Sequence, residues 1–280
     1  MALTTAGRTS ATPQNGNGNY LFPFILVTSL FFLWAFLHNL NPILIPHLKK
    51  ACELSDLQSA FIDSSVYLGY FLIAIPAGLL MHKYGYKKGI LIGLSLYAVG
   101  ALLFIPAASA RSYTFFLVAL FIIASGATFL ETVANPYITI LGPKETSEQR
   151  LNFAQSFNGV GAVMAPLIGT AFILSGVEYT PEQLSAMTPD QTNNWLIAEA
   201  ATVKIPYLII GILIIALLLL FVFSKIPEGE SADKTQDEHA FSFSVLKHSH
   251  VRWAVVAQFF YVGAQVGAGS FFIRFSKFAA

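Results

Sequence analysis

A carboxylate stands inside hydrocarbon-like sequence at Phe129-Leu130-Glu131-Thr132-Val133-Ala134-Asn135-Pro136-Tyr137, within an apolar run from Tyr113 to Leu141. On a helix of that length Glu131 falls well inside a bilayer, where an ionisable group costs at least a few kcal/mol unless it faces a bundle interior or a watered cavity. Residues kept at that cost mark ion pathways and proton relays, or else a carboxylate satisfied by a neighbouring helix. Glu131 is therefore the first candidate for proton coupling. Asp63 is a second carboxylate, set roughly two turns into another apolar run. It reads either as a helix-end acid that snorkels to water or as a further coupling site. His38 reads as a hydrogen-bonded residue between helices rather than as a relay.

The composition sets the elements that must position these groups. The 280 residues are 55% hydrophobic and 11% charged, against roughly 25% charged for a soluble domain, so the chain is an all-α polytopic membrane protein. Membrane-barrel strands would alternate in polarity over about ten residues, a pattern this sequence lacks. A net charge of +1 argues against the clustered basic surface that nucleic acid requires. Cys52 is the one cysteine, so neither an intrachain disulfide nor a Cys-based metal cage can form. No metal, cofactor or nucleic-acid partner is expected; the lipid bilayer is.

Seven runs can span about 30 Å of hydrocarbon, which takes roughly 20 helical residues each. They lie at Tyr20 to Pro46, Asp56 to Met81, Lys88 to Ala108, Tyr113 to Leu141, Leu151 to Ser175, Ile205 to Ser224 and Val251 to Ser276. The domain organisation expected is a disordered tail over 1–19, a six-helix bundle over 20–224, a charged linker over 225–250 and a seventh span over 251–280. The tail is polar and rich in Gly and Asn. The run from Tyr20 outlasts the apolar region of a signal peptide and has no small-residue cleavage site. Lys83, Lys87, Lys88, Lys144, Arg150 and the linker's basic residues fall on one side, with Lys49, Lys50, Arg111 and Lys204 near helix ends on the other. That bias places the N-terminus in the cytoplasm.

An internal repeat organises the bundle. Asn41-Pro42 in the first span matches Asn135-Pro136 in the fourth, and the same offset pairs Leu57 with Leu151, Ala60 with Ala154 and Val66 with Val160. With three helices between copies, the two run in opposite senses, as in the inverted 3+3 half of a secondary transporter. Enzymatic readings lack a basis, because no paired His/Cys metal spacing, Gly-x-Ser-x-Gly elbow or phosphate loop is present. The alternative from another class is a seven-span receptor or sensor, favoured by span count and opposed by the orientation and the repeat.

Four motifs carry a family resemblance: Phe32-Leu33-Trp34-Ala35-Phe36-Leu37-His38-Asn39-Leu40-Asn41-Pro42-Ile43-Leu44-Ile45-Pro46, Leu130 to Pro136, Ala154-Gln155-Ser156-Phe157-Asn158, and Ala257-Gln258-Phe259-Phe260-Tyr261-Val262-Gly263-Ala264-Gln265. Together they resemble the fucose permease group of the major facilitator superfamily, sugar:proton symporters. The resemblance implies two six-helix bundles with a monosaccharide of the fucose or hexose class bound between them. It also implies a bacterial inner-membrane location and symport with protons by alternating access. Sugar hydroxyls are recognised by groups that both donate and accept, with aromatic faces against the ring. Asn39, Asn41, Gln155, Asn158, Gln258, Tyr261 and Gln265 have that chemistry. Hydrogen bonds between helices would use the same side chains. Gln258 and Gln265, a heptad apart, share one helix face.

Two departures from the family pattern stand out. Members carry an aspartate in or just after the Asn-Leu-Asn stretch; here Asn41 and Pro42 occupy those places. The loop after the second helix keeps Gly78, Lys83, Gly85, Lys87 and Lys88 but has His82 where an aspartate is usual. It reads as a cytoplasmic gate or anchor, or as a topology signal alone. The sequence stops one helix into the second bundle, so the expectation is an N-terminal half with an incomplete second bundle. Its partner would be the missing C-terminal half, and the fragment would be inactive alone.

Overall fold

The structure is a computed structural model that describes residues 20–177, 179–224 and 243–279. The tail 1–19 and most of the linker, two of the sequence expectations, lie outside the described residues. The chain divides into two compact units, Met1–Ser231 and Ala232–Ala280.

The first unit is a helical bundle of α1 (Leu21–Ala51), α2 (Asp56–Tyr84), α3 (Tyr86–Ser109), α4 (Tyr113–Ile140), α5 (Ser147–Phe172), α6 (Pro181–Ser185), α7 (Pro189–Ala201) and α8 (Lys204–Phe223). Local chemistry fixes the boundaries. Ser55 and Gln58 form a reciprocal capping box that starts α2, satisfying backbone N–H groups left without helical partners. A single residue, Gly85, joins α2 to α3 at φ 85°, a left-handed conformation that only glycine adopts freely. Pro42, Pro46, Pro76, Pro106, Pro136 and Pro166 all sit inside helices, as membrane helices tolerate.

Among the described residues, five stretches are long and apolar enough to cross a membrane: α1 to α4, and Pro189–Phe223. The fifth and seventh runs are helical too, as α5 and α9, but fall outside that group. Asn152, Gln155 and Asn158 lower the apolar content of α5, and Gln258 and Gln265 that of α9. The stretch before the sixth span, to which the sequence reading assigns no element, contains α6 and α7. Thr180 with Gln183, and Thr188 with Gln191, form capping boxes with Pro at the first helical turn.

Helices α1 and α4 hold most of the core, including Leu30, Phe31, Leu44, Leu130, Val133 and Tyr137. α1 packs on α5 and α4 on α2, while α3 bridges α4 and α8. The α1–α5 and α4–α2 contacts are mates under the inverted repeat. Three of the buried residues on α2, Ile62, Gly69 and Ala77, recur on α5 as Ala154, Gly161 and Gly169, while buried Val66 has half-buried Asn158 as its counterpart. Ala154 thus corresponds to Ile62 rather than to Ala60, because the second copy has a different inter-helix connection. Large apolar side chains on α2 and α8, among them Phe71, Leu72, Ile212, Leu213 and Phe223, face outward, the arrangement lipid requires. In the second unit the turn Phe243–Lys247 leads into α9 (Ser249–Ala279).

Candidate functional site

Each Asn-Pro helix is tied by an amide to the helix that follows it. In the first copy Asn41, 8% exposed, donates through Nδ2 to Asp63 Oδ1 on α2 at 3.0 Å. In the second, Gln155 Nε2 on α5 donates to Asn135 Oδ1 on α4 at 2.9 Å. Both helix pairs make limited backbone contact, so these bonds are specific links between them. Asn41 and Asn135 head their helix's Pro, where a backbone donor is missing and the helix is easily bent.

The second tie belongs to a longer relay. Asn158 Nδ2 donates to Gln155 Oε1 at 2.7 Å, Gln155 to Asn135, and Asn135 Nδ2 to the carbonyl of Glu131 at 2.8 Å. Four residues from two helices thus act as one polar row that ends on the backbone of Glu131. Its other end is open: Asn158 Oδ1 is buried and has no hydrogen-bond partner. A buried acceptor left unpaired costs about 1–3 kcal/mol, and a ligand hydroxyl is a donor that would satisfy it. The Glu131 and Gln155 side chains are exposed on the bundle surface.

The first copy has a different surround. The His38 ring stands edge-on to Tyr67 and Tyr70, with centroids 6.5 and 6.1 Å apart. His38, Asn41, Tyr70, Tyr97 and Tyr207 line a cavity of about 20 Å³, the volume of one or two waters. Asp63 is half-buried and bonded to Asn41, so a carboxylate from α2 is joined to the Asn41-Pro42 position. Asn39 donates to the carbonyl of Ala35 at 2.7 Å within α1, a local bond that occupies the amide. Gln258, Tyr261 and Gln265 are exposed on α9 in the second unit.

The glycine-rich loop motif is an anchor in part. Lys87 Nζ donates to the carbonyls of Val222 at 3.1 Å and Ser224 at 2.8 Å, capping the C-terminal end of α8. Lys83 and Lys88 both lie over the Tyr84 ring, at 5.3 and 5.5 Å. His82 is exposed, and a side chain at Gly78 would meet open space.

Sequence reasoning missed three arrangements. Asn135 was read as a repeat marker, yet it is the middle of the relay. Arg150 was counted as a topology charge, yet it is 7% exposed and donates to the carbonyls of Pro143 and Thr139 at 2.8 and 2.9 Å, closing the end of α4. His47 and Glu199 are buried ionisable side chains whose approach no motif announces. Among the described residues no group of three or more His, Cys, Asp or Glu could hold a metal ion.

The model of the family described as Major Facilitator Superfamily matches residues 24–278. The L-fucose-proton symporter of Escherichia coli strain K12 is 46% identical over 263 residues, which cover 92% of this chain and 60% of that relative. The glucose/galactose transporter of Brucella abortus biovar 1 is 41% identical over 268 residues, covering 94% and 60%. The crystal structure of FucP, a major facilitator superfamily transporter in the outward conformation, aligns with a TM-score of 0.78 at 45% identity, over 92% of this chain and 63% of that one. The chain spans about 60% of the length of the curated relatives it matches.

Proposed function

The chain belongs to the major facilitator superfamily, and from that premise we propose that it carries the sugar-recognition and proton-coupling half of a monosaccharide:proton symporter. The substrate is of the fucose, glucose or galactose class, the ligands that the names of the similar proteins give. The observation that carries the reading is the open acceptor of Asn158 at the head of the relay through Gln155 and Asn135 to Glu131. A sugar hydroxyl donating to Asn158 Oδ1 would complete the row. Because the row ends on the backbone of Glu131, sugar occupancy and the protonation of the Glu131 carboxyl act on the same turn of α4. Protonation removes a charge that is expensive in the membrane, and its loss restores that charge. A site that accepts both ligands on one turn is a means of making them travel together.

Asp63, bonded to Asn41, serves as the second coupling carboxylate. The bundle over 20–224 has its N-terminus in the cytoplasm and its spans in the bacterial inner membrane. Gln258, Tyr261 and Gln265, exposed on α9 of the second unit, have the chemistry of sugar-binding side chains. The seven-span receptor alternative has no counterpart among the relatives, which are named as transporters.

The test is counterflow and gradient-driven uptake of labelled L-fucose, D-glucose and D-galactose in proteoliposomes at two pH values. The chain is used alone and extended with the remaining part of the E. coli relative. Saturable, stereoselective uptake by the extended chain, raised by an inward proton gradient, is expected. Absence of selectivity among the sugars, or indifference to the gradient, would refute the reading.

A further inference from the structure

At the C-terminal end of α1 lies a buried charge cluster that the transport reading does not use. His47 on α1 is 1% exposed and Glu199 on α7 is 3% exposed. Glu199 Oε1 lies 3.4 Å from His47 Nδ1 and 3.1 Å from Lys50 Nζ. On the far side of the ring, His47 Nε2 lies 3.4 Å from Thr202 Oγ1. That hydroxyl is closer to two carbonyls, Ile173 at 2.9 Å and Glu199 at 3.0 Å. A hydroxyl has one hydrogen. Spent on a carbonyl, it leaves Thr202 to offer His47 a lone pair.

Both ring nitrogens then face oxygen acceptors, and an imidazole donates from both only when it is protonated. A neutral ring whose Nε2 keeps the hydrogen turns the lone pair of Nδ1 toward the carboxylate, and one whose Nδ1 keeps it turns the lone pair of Nε2 toward Thr202. Nδ1 and Glu199 Oε2 are indeed buried without a hydrogen bond. The charges facing the ring are Glu199 from α7, which favours a proton there, and Lys50 from α1, which opposes it; Ile173, just past the end of α5, is an uncharged neighbour. Lys50 is the more solvated of the two, with its side chain 25% exposed and its ammonium 4.9 Å from the centre of the Trp195 ring. Glu199 and Thr202 also line an open cleft of about 610 Å³, which gives protons from water a route to the pair. The carboxylate is seated on bare backbone: a Cβ at Gly176 would fall 2.0 Å from Glu199 Oε2.

We propose that His47 and Glu199 form a proton-binding site, distinct from Glu131 and Asp63, that clasps α7 to the end of α1 when it is loaded. The proton enters from water through the cleft and binds Nδ1, and the resulting N–H donates to the Glu199 carboxylate. Its departure leaves one side of the ring unmatched, since a neutral imidazole presents a lone pair either to Glu199 or to Thr202. The site stands on its own geometry and not on the transport reading.

The whole chain, labelled with ¹⁵N-histidine and held in lipid nanodiscs, reports the ring directly, with the His47 signals identified by their loss in His47→Gln. Between about pH 4 and about pH 9, a range wide enough to contain a shifted histidine, the ring should pass from doubly protonated to neutral with one midpoint. Glu199→Gln should lower that midpoint by about one unit or more, since a facing negative charge is removed. Gly176→Ala, which evicts the carboxylate without changing its charge, should act in the same direction, and Lys50→Gln should raise the midpoint. Amide exchange over 189–201 should quicken above the midpoint in the unsubstituted chain and at every pH in His47→Gln. A ring that keeps one protonation state throughout in the unsubstituted chain would overturn the site, even if Glu199→Gln, Gly176→Ala and Lys50→Gln do not fold. A midpoint indifferent to both Glu199→Gln and Lys50→Gln would do the same, and exchange over 189–201 that ignores pH would overturn the clasp.

Discussion

Replacing Gly161 by alanine tests whether the close approach of α1 and α5 holds the bundle together. A Cβ at Gly161 would lie 2.8 Å from the carbonyl oxygen of Phe32, 2.9 Å from the backbone nitrogen of Phe36 and 3.2 Å from the Ala35 side chain. Two of these are backbone atoms, so no rotamer change relieves them. Ordinary contact begins near 3.5 Å, so the helices must separate by about 0.7 Å. Overpacking of this kind costs about 1–3 kcal/mol, offset by about 0.5–1 kcal/mol because alanine is the better helix former. Gly159 supplies the control on the same helix, since a Cβ there would meet nothing within 4 Å. Gly159→Ala should be neutral or stabilising by about 0.5–1 kcal/mol. The propensity gain is common to both variants, so their stabilities should differ by about 1–3 kcal/mol. Lipid tails are as apolar as the helix surfaces they would replace, which makes such packing a principal source of association. Reversible unfolding in mixed micelles, followed by tryptophan fluorescence, measures the difference. Equal stability of the two variants, within about 0.5 kcal/mol, would refute the close-packed account of the α1–α5 interface.

Three further outcomes follow from the site and its supports. In the extended chain, Glu131→Gln should abolish accumulation driven by a proton gradient while sparing sugar exchange; accumulation at the unsubstituted rate would move the coupling role to Asp63. Asn158→Ala or Gln155→Ala should weaken sugar binding by about 1–3 kcal/mol, the cost of an unsatisfied buried partner, and titration calorimetry showing unchanged affinity in a folded variant would count them as packing residues. Lys87→Gln should weaken the end of α8 by about 0.3–1 kcal/mol, the worth of a cation at helix C-terminal carbonyls. Faster amide exchange confined to the last turn of α8 is the expected signature, and unaltered exchange there would reduce Lys87 to a topology charge.

The helices and the repeat could be read from the chain because they rest on local signals. The paired Asn-Pro dipeptides stand in corresponding helices, and Gly85 marks a turn that its φ of 85° demands. The register of the second helix in each copy was misread, since Ala60 and Val66 match apolar positions almost anywhere, whereas burial aligns Ile62 and Gly69 with Ala154 and Gly161. Helices α6 and α7 were written in the Thr-Pro-x-Gln pattern, but a search by hydropathy passes over short capped helices. For the site, residue types such as Gln155, Asn158 and Glu131 were legible. Their order in a relay was not, because it depends on how α4 and α5 meet. His47 and Glu199 are separated by most of the bundle's sequence, and only the fold brings them together.

The single-residue turn at Gly85 has a mechanical consequence. With no slack between α2 and α3, a tilt of one drags the other, and Lys87, fixed to the carbonyls of Val222 and Ser224, hands the same displacement to the end of α8. That corner of the molecule is stiff. Compliance must then reside within the helices, at Pro42 and Pro136, where the ring forgoes one backbone bond and bending is cheap. Each of these soft points lies beside an asparagine linked to the next helix, so flexing the rod and loosening the Asn41–Asp63 or Asn135–Gln155 link are one and the same deformation.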